Sequence, residues 1–148
     1  ARSYLNSRQT VKEILKDNPE IDLLLDIHRD GIKEASREDV VTRVNGERAA
    51  KVMIVVTNGS FDFAHLDLDD HHQEWEKNLE FARNMVTRIN TMYPNLLNRL
   101  EIRDTTYNQD LHPHALLLEV GDYRNTTSEA LNSASLLADV IAAQLLSE

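Results

Sequence analysis

The sequence predicts an α/β fold, with a mixed central sheet flanked by helices. Three observations carry this expectation. Residues 21–27 and 115–118 are apolar runs of strand length. Amphipathic stretches of helical period occupy residues 3–17, 72–93 and the C-terminal region after Thr126. The two kinds of segment alternate as helix, strand, hairpin, helix, short strand, strand, helix, which is how layered α/β proteins are written.

Each element has its own local reason. Tyr4, Leu5, Val11, Ile14 and Leu15 recur at helical spacing, and Asn18-Pro19 stops that helix because the residue before a proline avoids the helical region. Residues 21–27 then read as a buried strand. Residues 31–39 read as polar loop. Residues 40–44 and 51–56 are β-rich, and Asn45-Gly46 between them signals a hairpin. The gap before Lys51 predicts a loop longer than the two-residue turn. Residues 57–70 form an acidic loop with Asp62, Asp67, Asp69 and Asp70. The helix after it has an apolar face of Trp75, Leu79, Ala82, Met85, Val86 and Ile89, and ends at Tyr93-Pro94. Residues 100–103 read as a short strand, 107–113 as polar loop and 116–120 as a second buried strand. Thr126 and Glu129 have the spacing of a capping box, with the last helix running through Leu131, Leu137, Ile141 and Leu145.

Composition narrows the function. A chain of 148 residues supports one domain, residues 1–148. Its net charge of -9, with no basic run, argues against nucleic acid, whose phosphates need clustered Lys and Arg. No cysteine is present, which removes disulfides, thiolate nucleophiles and Cys-based zinc sites. No apolar stretch approaches the roughly 20 residues of a spanning helix. There is neither a glycine-rich phosphate loop nor a Gly-x-Ser-x-Gly elbow. The first residue is not methionine and helix begins at once, which suggests a fragment cut inside a larger protein.

Chemistry is expected where apolar runs end, because open α/β sheets gather function at the carboxyl ends of their strands. The first run ends in Asp26-Ile27-His28-Arg29-Asp30. His28 there suits a zinc ligand whose tautomer is fixed by Asp26 or Asp30; the alternative is a hydrogen-bonded loop histidine. The second run ends in Glu119-Val120-Gly121. A carboxylate in that apolar setting has a raised pKa unless a cation pairs with it, which suits a general base; the alternative is an ion pair with Arg29 or Arg124. His65, His71 and His72 lie among aspartates without a recognised ligand spacing, as expected of a solvated loop. His112 and His114 flank Pro113 before the second strand, and the amides of Tyr107-Asn108-Gln109-Asp110 would serve either a peptide ligand or a plain turn.

Several segments, taken in order, resemble the stage II sporulation protein P family. They run from Tyr4-Leu5-Asn6-Ser7-Arg8-Gln9-Thr10-Val11 and Asp26-Ile27-His28-Arg29-Asp30 to His72-Gln73-Glu74-Trp75 with Asn78-Leu79 and Phe81-Ala82. Tyr93-Pro94, Tyr107-Asn108-Gln109-Asp110-Leu111, Leu118-Glu119-Val120-Gly121, Asn125-Thr126 and Glu129-Ala130 complete the set. The resemblance implies a fold similar to the zinc N-acetylmuramoyl-L-alanine amidases. It implies a cell-wall hydrolase with Zn2+ as cofactor and peptidoglycan as substrate, with endopeptidase action as well. It also implies a role in engulfment during sporulation, beside the stage II sporulation protein D transglycosylase, outside the cytoplasm and behind an upstream membrane anchor. By position, His28 matches a zinc ligand and Glu119 the catalytic glutamate. Arg29 and Asn108 fall in family motifs, with a substrate-binding or supporting role. Related amidases have a similar Glu-x-Gly followed by asparagine, here Glu119, Gly121 and Asn125.

One departure is large. The family's first strand, with a His-Thr-His segment and a nearby glutamate that supply the other zinc ligands, has no counterpart in these residues. Its loss would expose apolar surface and an unpaired sheet edge. The fragment alone is therefore expected to hold little zinc and to hydrolyse little. A non-catalytic module of the same fold, binding peptidoglycan or a partner, is the alternative.

Overall fold

A computed structural model describes residues 2–31, 36–60 and 75–146. Its elements are α1 (Arg2–Asp17), β1 (Leu24–Asp30), β2 (Val41–Val44), β3 (Glu47–Ala50), β4 (Val52–Thr57), α2 (Trp75–Met92), β5 (Leu97–Arg103), β6 (Ala115–Asp122) and α3 (Thr127–Leu145). Short 3-10 turns at Glu38–Val40 and Gln109–Leu111 join them. The central sheet has the order β1-β6-β4-β5. It is mixed: β1 runs parallel to β6 and β4 to β5, while β4 and β6 are antiparallel.

Alternation along the strands makes the two faces of this sheet different. Val52, Ile54 and Val56 of β4 and Leu116, Leu118 and Val120 of β6 meet Leu79, Ala82, Met85 and Ile89 of α2 and Leu137 and Val140 of α3. This is the main core. The opposite face carries Met53, Val55 and Leu117, against which Tyr107 packs. By the same alternation it carries Asp26, His28 and Glu119. Helix α1 serves this second face through the stripe Tyr4, Arg8, Val11 and Leu15, all partly buried, whereas Leu5 and Ile14 remain exposed.

Three expectations change. The apolar run predicts a buried strand over residues 21–27, but β1 begins at Leu24 and extends to Asp30. It is an outer strand among the described residues, and its Ile27 is 66% exposed. A continuous apolar run is ambiguous between a strand buried on both faces and one lying at an edge. Along β1 an open apolar groove of about 490 Å3 continues past Leu131 and Ala134 of α3. The hairpin is also tighter than expected. Asn45 (φ 53°) and Gly46 (φ 85°) form a two-residue turn, and Glu47–Ala50 pairs back on β2 as β3. Its sequence Glu-Arg-Ala-Ala has no β-branched residue, so the strand is set by the turn and not by propensity. Finally, β5 is a full strand of 7 residues. The acidic loop, with His65, His71 and His72, lies outside the described residues.

The capping box forms as its spacing requires: the Thr126 hydroxyl accepts from Glu129 N at 3.2 Å, and the Glu129 carboxylate accepts from Thr126 N at 2.9 Å. Among the described residues no helix is long and apolar enough to cross a membrane.

Candidate active site

The parallel ladder makes His28 and Glu119 register partners. Neighbours in register lie about 4.8 Å apart and leave the same face of a sheet. Residues 91 positions apart in the chain are thereby side by side at the carboxyl ends of β1 and β6. Asp26, two residues before His28, shares that face. Its Oδ1 lies 2.9 Å from His28 Nε2, and the Tyr4 hydroxyl donates to its Oδ2 at 3.1 Å. Tyr4 Oη is also 3.4 Å from His28 Nε2. Asp26 is thus the carboxylate that meets the imidazole.

Glu119 is 6% exposed, and its Oε2 has no hydrogen-bond partner among the described residues. Burial first, and then the negative charge of Asp30, push its carboxyl above the usual range; His28 and Arg103 oppose this without reversing it. Among the described residues no ion pair to Glu119 forms, and the two candidate cations are engaged elsewhere: Arg29 Nη2 donates to Asn125 O at 2.8 Å and Arg124 Nη1 meets Asp122 Oδ1 at 2.8 Å. Beside Glu119 lies a void of about 10 Å3, lined also by Asp30, Lys51, Met53 and Gly121. That is about the room one water requires.

The backbone just past Glu119 is shaped for this. The ladder pairs His28 with Glu119 and then Asp30 with Asp122, so β6 carries an extra residue between the two pairs. Such a bulge re-aims side chains. Gly121 absorbs it at φ 77°, and an added Cβ would meet Asn125 Oδ1 at 2.6 Å and Ala50 Cβ at 2.7 Å. Gly121→Ala is expected to cost about 1–3 kcal/mol from the left-handed backbone alone. A urea-denaturation midpoint unchanged by the substitution would contradict this. Asn125 holds the turn, accepting from Asp122 N at 2.7 Å and donating to Val40 O at 3.0 Å.

The remaining candidates separate. Arg29 alternates to the α3 face and lines the apolar groove beside Thr127. Asn108 is buried and faces α1: its Nδ2 donates to Tyr4 O at 3.1 Å and Ser7 Oγ at 3.0 Å, and its Oδ1 accepts from Arg8 at 3.4 Å. Of the two roles open to it, its contacts are those of a support. His112 and His114 lie before the start of β6, at the end remote from Glu119. They bond the carbonyls of Ile21 and Asp22 at 2.9 and 3.1 Å, and His114 stacks on Phe81. Spacing gives Tyr4 only as one apolar helix position; its contact with Asp26 arises from the tertiary fold. Burial and the adjoining Asp26 carboxylate hold its hydroxyl protonated.

A mixed α/β fold with one imidazole–carboxylate pair at the carboxyl ends of two parallel strands is the class these observations define. The family model of Stage II sporulation protein P (SpoIIP) matches residues 1–142. The chain belongs to that family. It is 32% identical over 145 residues to the Stage II sporulation protein P of Bacillus subtilis (strain 168), covering 95% of this chain. It spans about a third of that relative's length, 32%. No solved structure matches the chain.

The resemblance implies zinc, and the described residues do not by themselves fit it. A catalytic zinc takes three protein ligands and an open position. No group of three or more His, Asp or Glu able to hold a metal comes together among the described residues. His28 is the imidazole available at the site, and Asp26 is already turned to it.

Proposed function

We propose that this chain is part of the catalytic domain of a peptidoglycan hydrolase acting in sporulation. It cleaves the amide between muramic acid and the stem peptide, with endopeptidase action on cross-links as a second activity. The observation that carries the reading is Glu119: buried, without a hydrogen-bond partner at Oε2 among the described residues, raised in pKa and in register with His28. A carboxyl raised toward the working pH is suited to moving protons in both directions. Glu119 takes the proton of the attacking water and returns it to the leaving amine. His28 is held facing it by Asp26, and Arg29, on the α3 side of β1, is a substrate-binding residue in the neighbouring groove. In this reading His28 is one ligand of a zinc ion, with further ligands from outside the described residues. The protein acts on the envelope side of the membrane, beside the stage II sporulation protein D transglycosylase.

A test uses the full-length protein on purified sacculi. Stem-peptide release is expected, lost on chelation and in His28→Ala. A second reading, a non-catalytic peptidoglycan-binding module, draws support from the absence of a three-ligand group among the described residues. Sacculus binding with no release, indifferent to chelator, would select that module and reject the hydrolase.

A further inference from the structure

Two sequence motifs that the proposed chemistry leaves unused, Tyr4–Val11 and Tyr107–Leu111, grip each other. Arg8 makes two bonds to Asp110, Nη1 to Oδ1 at 2.8 Å and Nη2 to Oδ2 at 2.5 Å. Both side chains are largely buried, at 13% and 9% exposure. A bidentate arginine–carboxylate pair fixes orientation as well as distance. Asn108 adds its bonds to Tyr4 O and Ser7 Oγ. The Tyr107 ring stacks on the Tyr4 ring at 4.9 Å and 26°. To do this, Tyr107 and Asn108 stand consecutively in the left-handed region, at φ 41° and 60°. Non-glycine residues persist there only when their surroundings over-determine them.

This grip serves one outcome at the site. Tyr4 is one turn before Arg8, so the pair that sets the rotation of α1 also aims the Tyr4 hydroxyl. That hydroxyl meets Asp26 Oδ2, and the other oxygen of Asp26 meets His28 Nε2. We infer that Tyr4 is a positioning residue, which through Asp26 locks the orientation of the His28 imidazole beside Glu119. The stack on Tyr107 would hold the ring without the hydroxyl, so the hydroxyl's use is Asp26 and His28. The inference rests on the proposed hydrolase reading for its effect on rate, but its effect on His28 stands apart from that reading.

Tyr4→Phe keeps the stack and removes only the hydroxyl. In the full-length protein it is expected to lower kcat on sacculi by about tenfold with KM unchanged, the usual scale for partners that orient a site histidine. The independent readout is carbethoxylation of histidines by diethyl pyrocarbonate, resolved by peptide mass spectrometry. The rate at His28 should rise at least about twofold as the ring is released, while His112 and His114, tied to backbone carbonyls at the other end of β6, stay unchanged. Arg8→Ala should produce the same two changes, and the double variant should be no worse than either single one, because both act through one contact chain. An unchanged labelling rate at His28 in Tyr4→Phe overturns the inference whatever happens to activity. Full kcat in that variant overturns it as well. If the parent protein releases no stem peptide while the labelling difference holds, the hydrolase reading fails and the Tyr4–Asp26–His28 unit stands.

Discussion

Glu119→Gln is expected to abolish stem-peptide release while leaving the protein folded. General-base catalysis is worth about 10²–10⁴ in rate, and an amide cannot take a proton from water. The substitution is isosteric, and no hydrogen bond to Oε2 is lost among the described residues. Stability should move the other way. A carboxyl whose folded pKa lies above its unfolded value contributes stability only below the unfolded value, and loses it as pH rises through the folded one. Glu119 is such a group, raised by burial and by Asp30. At neutral pH its charge therefore opposes folding, and glutamine removes that opposition. The urea midpoint of the variant should equal or exceed the parent's at about pH 7, with the difference shrinking toward about pH 4, near the unfolded value. Function and stability would then trade at one atom, as happens at strained or desolvated sites. Retained hydrolysis in a folded Glu119→Gln protein would remove Glu119 from the mechanism.

Glu129→Ala is expected to be strongly destabilising although Glu129 lies away from the catalytic pair. Glu129 is 3% exposed and accepts bonds from Arg37, Arg48, Asn125 and Thr126 N. Those four partners belong to the segment before β2, to β3, to the turn after β6 and to the start of α3. Burial works against its charge, but the backbone bond from Thr126, the bonds from Asn125 and Arg48 and the charge of Arg37 more than offset it and hold its pKa below the usual value. Alanine removes the reciprocal cap and several charge-assisted bonds. Arg37 and Arg48 are partly exposed and will rehydrate, so the loss is about 2–4 kcal/mol and not the full cost of a stranded ion pair. The sign with pH is opposite to that of Glu119. A depressed folded pKa gives stability that is present above the unfolded pKa and lost as pH falls through the folded one. The parent's midpoint should therefore drop in acid by more than the variant's does. Equal acid sensitivity in the two proteins would show that Glu129 is not ionised in the fold. Since Asn125 and Gly121 sit within this hub, its loss should also loosen the exit of β6 and reduce hydrolysis.

How much of this could be read in the chain depends on the range of the interaction. The capping box at Thr126 and Glu129, the Asn45-Gly46 turn, the stop at Asn18-Pro19 and the buried stripe of α2 are local. Their partners lie within four residues or one helical period, so residue type and spacing suffice. The apolar run of β6 was recognisable for the same reason, and so was the mixed α/β layering built from such pieces.

What no local pattern specifies is pairing and burial between distant segments. That β1 lies outermost among the described residues, with Ile27 in the open, depends on which strand lies beside it. That His28 faces Glu119 follows from a parallel register set jointly by both strands and the bulge at Gly121. The aim of Tyr4 at Asp26 depends on α1 being held by the pair Arg8 and Asp110, 102 residues apart. A chain displays its residue types one neighbour at a time; distances across the fold arise only when the sheet closes, and the chemistry proposed here is made of those distances.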